Sequence, residues 1–258
     1  MPASAAAQDA VRAIPAATVV ASSAFPALTL PDVPVASPDM SPELALQSYE
    51  NNAQRQLSDL AYSSDNTVIE AALPGTGQKG RFELKRSYQA PKSLAYGAVK
   101  FVGDNFVKNN IILKLLTSEV DHVEKGEGAN TAITEENYKF SYKGRQTIAG
   151  KTAYEYRVKP RHKRVGLFKG RVFIDAASGH ILRAEGTLVR SPSVLVKKID
   201  FVQDYEQVAG FSLPVRTHSV AKTRLFGEAV VDISHSDVNA APLHTGSGDN
   251  SAASGALQ

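Results

Sequence analysis

The sequence predicts a mainly β protein of the α+β kind, built on one large antiparallel sheet with a wet face and an apolar face. Three observations predict it. From Tyr154 to Val238 apolar and polar residues alternate: Tyr154, Tyr156 and Val158 point one way, Glu155, Arg157 and Lys159 the other. The same period of two returns in Leu213–Val215–Thr217 and in Ala229–Val231–Ile233, with Glu228, Val230 and Asp232 opposite. Successive side chains of a strand leave opposite faces, so this is the pattern of a half-buried sheet. The chain is also rich in Val, Thr, Tyr and Phe, with turn residues at regular intervals. Finally, almost nothing in this stretch resembles a catalytic motif. A large curved sheet must cover its apolar face, and the cover bears on function.

The elements follow in order. Residues 1–38 are Ala/Pro/Ser-rich, with Pro15, Pro26, Pro31, Pro34 and Pro38 breaking any regular element, and predict a disordered leader or linker. The folded unit spans 39–239, and the Gly/Ser/Ala-rich residues 240–258 predict a disordered tail. Ser41, Pro42 and Glu43 form a helix start, and Leu46, Tyr49, Ala53, Leu57 and Leu60 give it one apolar stripe. After Tyr62 the period changes. Val68–Ala71 and Phe82–Leu84 read as strands around the turn at Pro74-Gly75, and Leu94–Val102 as a third. A second helix is capped by Asp104 and ends at Gly126. Val107, Ile111 and Leu115 form its stripe, with Ile112, Leu116, Val120 and Val123 beside it. That apolar face is wider than a surface helix needs, although an ordinary core helix has the same look. Strands resume at Tyr138–Tyr142, with Tyr138, Phe140 and Tyr142 on one face.

Composition narrows the function. The formal charge of +3 is too modest to argue for nucleic acid, and the chain has no Cys, which excludes disulfides and thiolate metal sites. No apolar run is long enough to span a bilayer as a helix. Ala3-Ser4-Ala5 resembles the small-residue end of a secretory signal, yet the charged start and apolar segment before it are missing. The chain then either begins inside a longer precursor or carries an Ala-rich leader by coincidence.

Gly75-Thr76-Gly77-Gln78-Lys79-Gly80 matches G-x-G-x-x-G, but a dinucleotide site needs a helix to follow. Arg81–Lys85 alternates as a strand, so the segment reads as a hairpin loop. His235 lies near Asp232, Ser234 and Asp237, which admits a hydrolase reading through His235 and Asp237. A triad is an arrangement in space, however, and a polar strand end looks the same. No catalytic or metal-ligating set and no cofactor is expected. Lys159, Arg161, His162, Lys163, Arg164, Lys169 and Arg171 run without an acid until Asp175, with Leu167-Phe168 as an apolar tip. A solvated loop has this composition, and so does a contact with an anionic membrane or a partner protein. Arg161, Lys163, Arg164, Leu167, Phe168 and Lys169 are the candidate contact residues. Nucleic acid is disfavoured, because the aromatics alternate into the core rather than among the cations.

The order of features resembles a known family. Lys151–Pro160 leads into Arg171–Asp175, then Ser178-Gly179-His180-Ile181, then Phe201–Tyr205 and Gly210-Phe211-Ser212-Leu213-Pro214. That succession resembles the bacterial outer-membrane lipoprotein-sorting proteins, the LolA/LolB-like carriers, over roughly residues 40–238 and most strongly after 150. The resemblance implies a curved, half-open antiparallel β-barrel with helices across its mouth. It also implies a non-enzymatic role in the periplasm, sheltering lipid or lipoprotein acyl chains, with an inner- or outer-membrane protein as a further partner. Candidate cavity or lid residues are Val107, Ile111, Ile112, Leu115, Leu116, Tyr138, Phe140 and Tyr142. The physics is independent of the name: burying an acyl chain is worth about 0.8 kcal/mol per methylene, and release favours a mobile lid. The alternative is an envelope sensor or interaction module on the same scaffold, binding a protein partner or membrane surface through loop 159–171.

Overall fold

The computed structural model describes residues 38–243. The expected leader lies outside the described residues except for Pro38, and the expected tail lies outside them beyond residue 243. The chain runs through helix α1 (Pro42–Asp59) and strands β1 (Leu60–Leu73), β2 (Gln78–Gln89) and β3 (Ser93–Gly103). A helical segment follows, made of α2 (Asn105–Val107), a π-helical turn (Lys108–Ile112), α3 (Leu113–Glu124) and α4 (Gly128–Thr131). Seven more strands complete it: β4 (Tyr138–Ile148), β5 (Lys151–Pro160), β6 (Phe168–Asp175), β7 (Ile181–Leu188), β8 (Val196–Val208), β9 (Phe211–Thr223) and β10 (Glu228–Pro242).

All ten strands form one antiparallel sheet in the order β3-β2-β1-β10-β9-β8-β7-β6-β5-β4. The two edges, β3 and β4, do not pair, so the sheet stays open where the helical segment joins them. This is the curved, half-open barrel expected. Register shifts in the β1–β10, β2–β3, β4–β5, β6–β7 and β8–β9 pairs insert extra residues that bend the strands. Gly170 faces Gly186 across β6 and β7, and a Cβ at either position would overlap the facing backbone carbonyl. Only glycine admits that approach.

Alternation predicts the faces well. Ser63, Asp65, Thr67, Ile69, Ala71 and Leu73 are the buried positions of β1, at every second residue. One expected face fails. In β9 Pro214 pairs with Tyr205 and Arg216 with Asp204, which leaves Val215 as a bulge. Thr217 and Leu213 border the concave side, whereas Val215 lies with Lys151, Asp175 and Arg183 outside. An extra residue breaks the period of two, which a count along the sequence cannot register.

Two hydrophobic clusters share the concave face. In the first, α1 presents Ala45 and Tyr49 to Tyr138, Tyr154, Tyr156, Ile174 and Ile181 of β4–β7. The α1 start is pinned by phenols: Tyr154 and Tyr156 donate to the carbonyls of Met40 and Pro42, each at 2.5 Å. Ser41 Oγ accepts from Leu44 N (3.3 Å) as expected, but α1 stops at Asp59 and Leu60 is already strand. In the second cluster, the helical segment covers Ile69, Leu73, Phe82, Leu84 and Val231 of β1, β2 and β10.

The π-helical turn decides which side chains of that segment are buried. Leu113 N donates to Lys108 O, five residues back, so the turn takes one residue more than an α-helix. The core set is therefore Val107, Ile112 and Leu116, not the expected stripe Val107–Ile111–Leu115, and Ile111 and Leu115 flank it, half-buried. Asp104 also departs from expectation. Its side chain makes no cap bond; Oδ2 instead accepts from Lys79 N (2.9 Å) and ties the helix start to β2. The G-x-G-x-x-G segment turns between β1 and β2, with Thr76 N and Gly77 N donating to Leu73 O and strand on both sides.

Candidate functional site

Between the two clusters, the middle of the concave face, around β8, is left without a packed helix. A cavity of about 630 Å³ opens there, bounded by Leu115, Glu119 and His122 of α3 and by Phe168, Phe201 and Tyr205 of the sheet. Smaller cavities of about 270 Å³ and 330 Å³ adjoin it. The first shares Thr131, Ile133 and Tyr205 with it, the second Leu115, Glu119 and Gln203, so the three form one groove under α3. The 630 Å³ cavity by itself falls in the range of about 300–1,000 Å³ that suits a small ligand.

The walls differ along its length. Near β6–β8 they are apolar: Ile133, Phe168, Leu188, Ile199 and Phe201. The floor then turns polar. Tyr205 Oη donates to Gln203 Oε1 (2.7 Å), and Gln203 Nε2 donates to Thr217 Oγ1 (3.0 Å). Burial holds the Tyr205 phenol well above its ordinary pKa, so it serves as a neutral donor.

At the β1–β2–β10 end lies a charged network. His235 Nδ1 is 2.8 Å from Asp65 Oδ1, which also accepts from Thr67 Oγ1 at 2.5 Å. Arg86 reaches Asp65 (3.6 Å) on one side and Glu119 of α3 (3.3 Å) on the other. Tyr96 Oη donates to Glu119 Oε2 at 2.6 Å. Burial pushes the Asp65 carboxyl up, but the hydrogen bonds of His235 and Thr67 and the charges of His235 and Arg86 outweigh it and hold it below the usual carboxylate range. Glu119 thus latches the helix over the cavity to β2 and β3 through Arg86 and Tyr96.

The partners of His235 are not those near it in sequence. Asp232 instead contacts His218 (2.7 Å), Asp237 accepts from Asn66 (2.7 Å), and Ser234 leaves the opposite face of β10. Among the described residues no hydroxyl bonds His235 Nε2, and no group of three metal-ligating side chains occurs. A sequence signal for the network existed: Asp65, Thr67 and His235 stand at inward positions of strand faces that continue as Ile69, Ala71 and Leu73 in β1 and as Ala229, Val231 and Ile233 in β10.

The other expected site residues divide. Leu115 lines the cavity, whereas Val107, Ile112 and Leu116 seal the cluster beneath the helix, with Ile111 at its margin. Tyr138 is buried, its Oη accepting from Phe168 N (3.2 Å), and burial pushes its phenol up to about 12. Phe140 packs on Tyr49 and Tyr156, and Tyr142 is exposed at the β4 edge. Arg161, Lys163, Arg164 and Lys169 are exposed as expected. Leu167 and Phe168 are not an exposed tip: they are 1% and 4% accessible, because β6 begins there and turns both into the core. A groove of about 480 Å³ on the outer face is bordered by Arg81, Glu70 and Glu83, which pair with one another.

Fold and site define a class: an open, curved antiparallel sheet that keeps an amphipathic groove under a latched helix. No family model matches the chain, and no curated protein matches it. Solved structures similar to it include a DUF1329 family protein from Desulfovibrio piger, at 12% identity and TM-score 0.38, over 76% of this chain and 93% of that one. A LolA superfamily protein from Nitrosomonas europaea is similar at 11% identity and TM-score 0.37, over 75% and 92%. An outer membrane lipoprotein-sorting protein domain from Vibrio parahaemolyticus is similar at 11% and 0.37, over 77% and 92%. Among the described residues, no helix is long and apolar enough to cross a membrane.

Proposed function

We propose that this chain is a non-enzymatic carrier that holds a lipid or a lipoprotein acyl chain of the bacterial cell envelope, acting in the periplasm. The groove between the two clusters carries the reading. Its apolar wall of Phe168, Leu188, Ile199 and Phe201 accepts a hydrocarbon chain, and its polar floor accepts a headgroup. Each buried methylene contributes about 0.8 kcal/mol, so such a wall retains an acyl chain without specific polar recognition. Opening the groove breaks the Glu119 contacts and also lifts Leu116 of α3 from the second cluster, so burial of that side chain, more than the latch, sets the cost of release. The test is mass spectrometry of lipid extracted from protein purified out of the periplasm, for the native chain and for Leu115→Asp. Lipid in the first and its loss in the second are expected. Equal lipid in both, with both folded, refutes the assignment.

The exposed cations of loop 159–171 favour a second reading, an interaction module that binds a partner protein through Arg161, Lys163 and Arg164. Reversing those charges then abolishes partner capture and leaves lipid content unchanged.

A further inference from the structure

Strands of an antiparallel sheet reverse at alternate ends, so the β5–β6, β7–β8 and β9–β10 loops share one rim. Hydrogen bonds join them into a continuous edge. Val189 N donates to Leu167 O (2.9 Å), and Arg224 donates through N to Leu195 O and through Nε to Val194 O, both 2.8 Å. Residues 161–167, 189–195 and 224–227 hold Arg161, Lys163, Arg164, Arg190 and Arg224 and no acid. Lys163, Arg164, Arg190 and Arg224 take part in no ion pair among the described residues. Among these cations stand exposed apolar side chains: Val194 is 84% accessible and Leu225 66%, with Val165, Leu195 and Phe226 also exposed.

We propose that this rim is a docking surface for an anionic phospholipid bilayer. Val194 and Leu225 enter the interface while Lys163, Arg164 and Arg190 meet the phosphates. Apolar tips ringed by cations suit a surface that is anionic at headgroup level and apolar just below. A protein interface of this kind would need acids to match the ring, whereas the bilayer supplies them at every point. The rim is also where the groove opens, since Val165, Gly166 and Pro192 line the large cavity. Docking there sets the mouth against the lipid. Phe226 stacks edge-on with Phe106 of α2 (centroids 4.9 Å apart), so the same rim touches the start of the covering segment. The proposal deepens the lipid-carrier reading by naming the surface from which lipid enters.

The experiment is flotation of the full chain with vesicles of phosphatidylcholine alone or of equimolar phosphatidylcholine and phosphatidylglycerol. Binding to the anionic vesicles, weakened by salt, is expected. Each cation near an anionic surface is worth about fivefold, so Lys163→Gln, Arg164→Gln and Arg190→Gln together lower partitioning about a hundredfold. Val194→Asp with Leu225→Asp lowers it about tenfold or more while the charges remain. Neither set touches a buried residue, and unchanged urea midpoints show that the variants fold. No binding of the native chain to anionic vesicles overturns the proposal. So does binding unmoved by both sets, or a rim that captures a protein while vesicles float free of it. Uptake of a fluorescent fatty acid into the groove, read on the same samples, fails only if the carrier reading fails.

Discussion

Replacing Ile112 and Ile111 separately by Ala tests the π-helical turn, which sets what the helical segment offers to the core and what it leaves for the cavity. Ile112 is fully buried among Ile69, Leu73 and Phe82, whereas Ile111 is half-buried at the margin. Ile→Ala removes three carbons, about 2.4 kcal/mol of transfer free energy if all were buried, and the unfilled cavity raises the total to roughly 3–4 kcal/mol. At Ile111 about half of the transfer contribution applies and little cavity forms, so the cost is about 1–1.5 kcal/mol. The gain in helix propensity, a few tenths of a kcal/mol, is common to both and cancels in the comparison. Urea unfolding followed by circular dichroism reads the difference. With a slope of about 2–3 kcal/mol per molar, Ile112→Ala lowers the midpoint by about 1–2 M and Ile111→Ala by less than half of that. A continuous α-helix would reverse the order, because Val107–Ile111–Leu115 would then face the core. If Ile111→Ala costs as much as Ile112→Ala or more, the reasoning fails.

Two further predictions concern pH. Asp65 is held below its unfolded-state value, so its contribution is full above about pH 4 and is lost as pH falls through the lower folded value. Melting temperatures from pH 7 down to 3 should fall more steeply for the native chain than for Asp65→Asn, which starts lower at pH 7; parallel curves would disprove the network. Glu50 behaves oppositely. Burial, with the charges of Glu135 and Glu136, outweighs the Glu135 N–H bond (2.9 Å) and pushes its carboxyl up to about 7. The folded state thus binds the proton more tightly, and stability declines as pH rises from about 4.5 to 7. Glu50→Gln keeps an acceptor for Glu135 N and removes this slope. An unchanged difference between the two proteins across that window would contradict the assignment.

Much of the molecule was legible in the linear chain. Alternation located most strands and their faces, the Ser41-Pro42-Glu43 start located α1, and glycine-containing loops located the hairpins, including the false nucleotide motif. These signals are local: a side chain's face follows from its neighbours' backbone geometry. Alternation alone points the Tyr154 and Tyr156 phenols inward, although their acceptors, the carbonyls of Met40 and Pro42, lie 114 residues away. What the local pattern does not contain is an added residue. The bulge at Val215 and the π turn at Lys108–Ile112 each insert one, and each moved a side chain from its expected face.

The candidate site depended on tertiary structure more heavily. Leu167 and Phe168 looked like a loop tip because the basic run surrounds them, yet the start of β6 buries both. Nothing near His235 in sequence named Asp65, 170 residues earlier, because the β1–β10 pairing that joins them is a long-range event. The rim was likewise invisible as a unit: loops 161–167, 189–195 and 224–227 become one surface only because alternate hairpins reverse at the same end. The sequence by itself determined a sheet with one apolar face, a broad covering helix and a basic loop. Tertiary structure decided that the helix covers only part of that face and that the remainder is an open groove. The reason is physical: periodicity reports where a side chain points, whereas a cavity depends on which distant surfaces fail to meet.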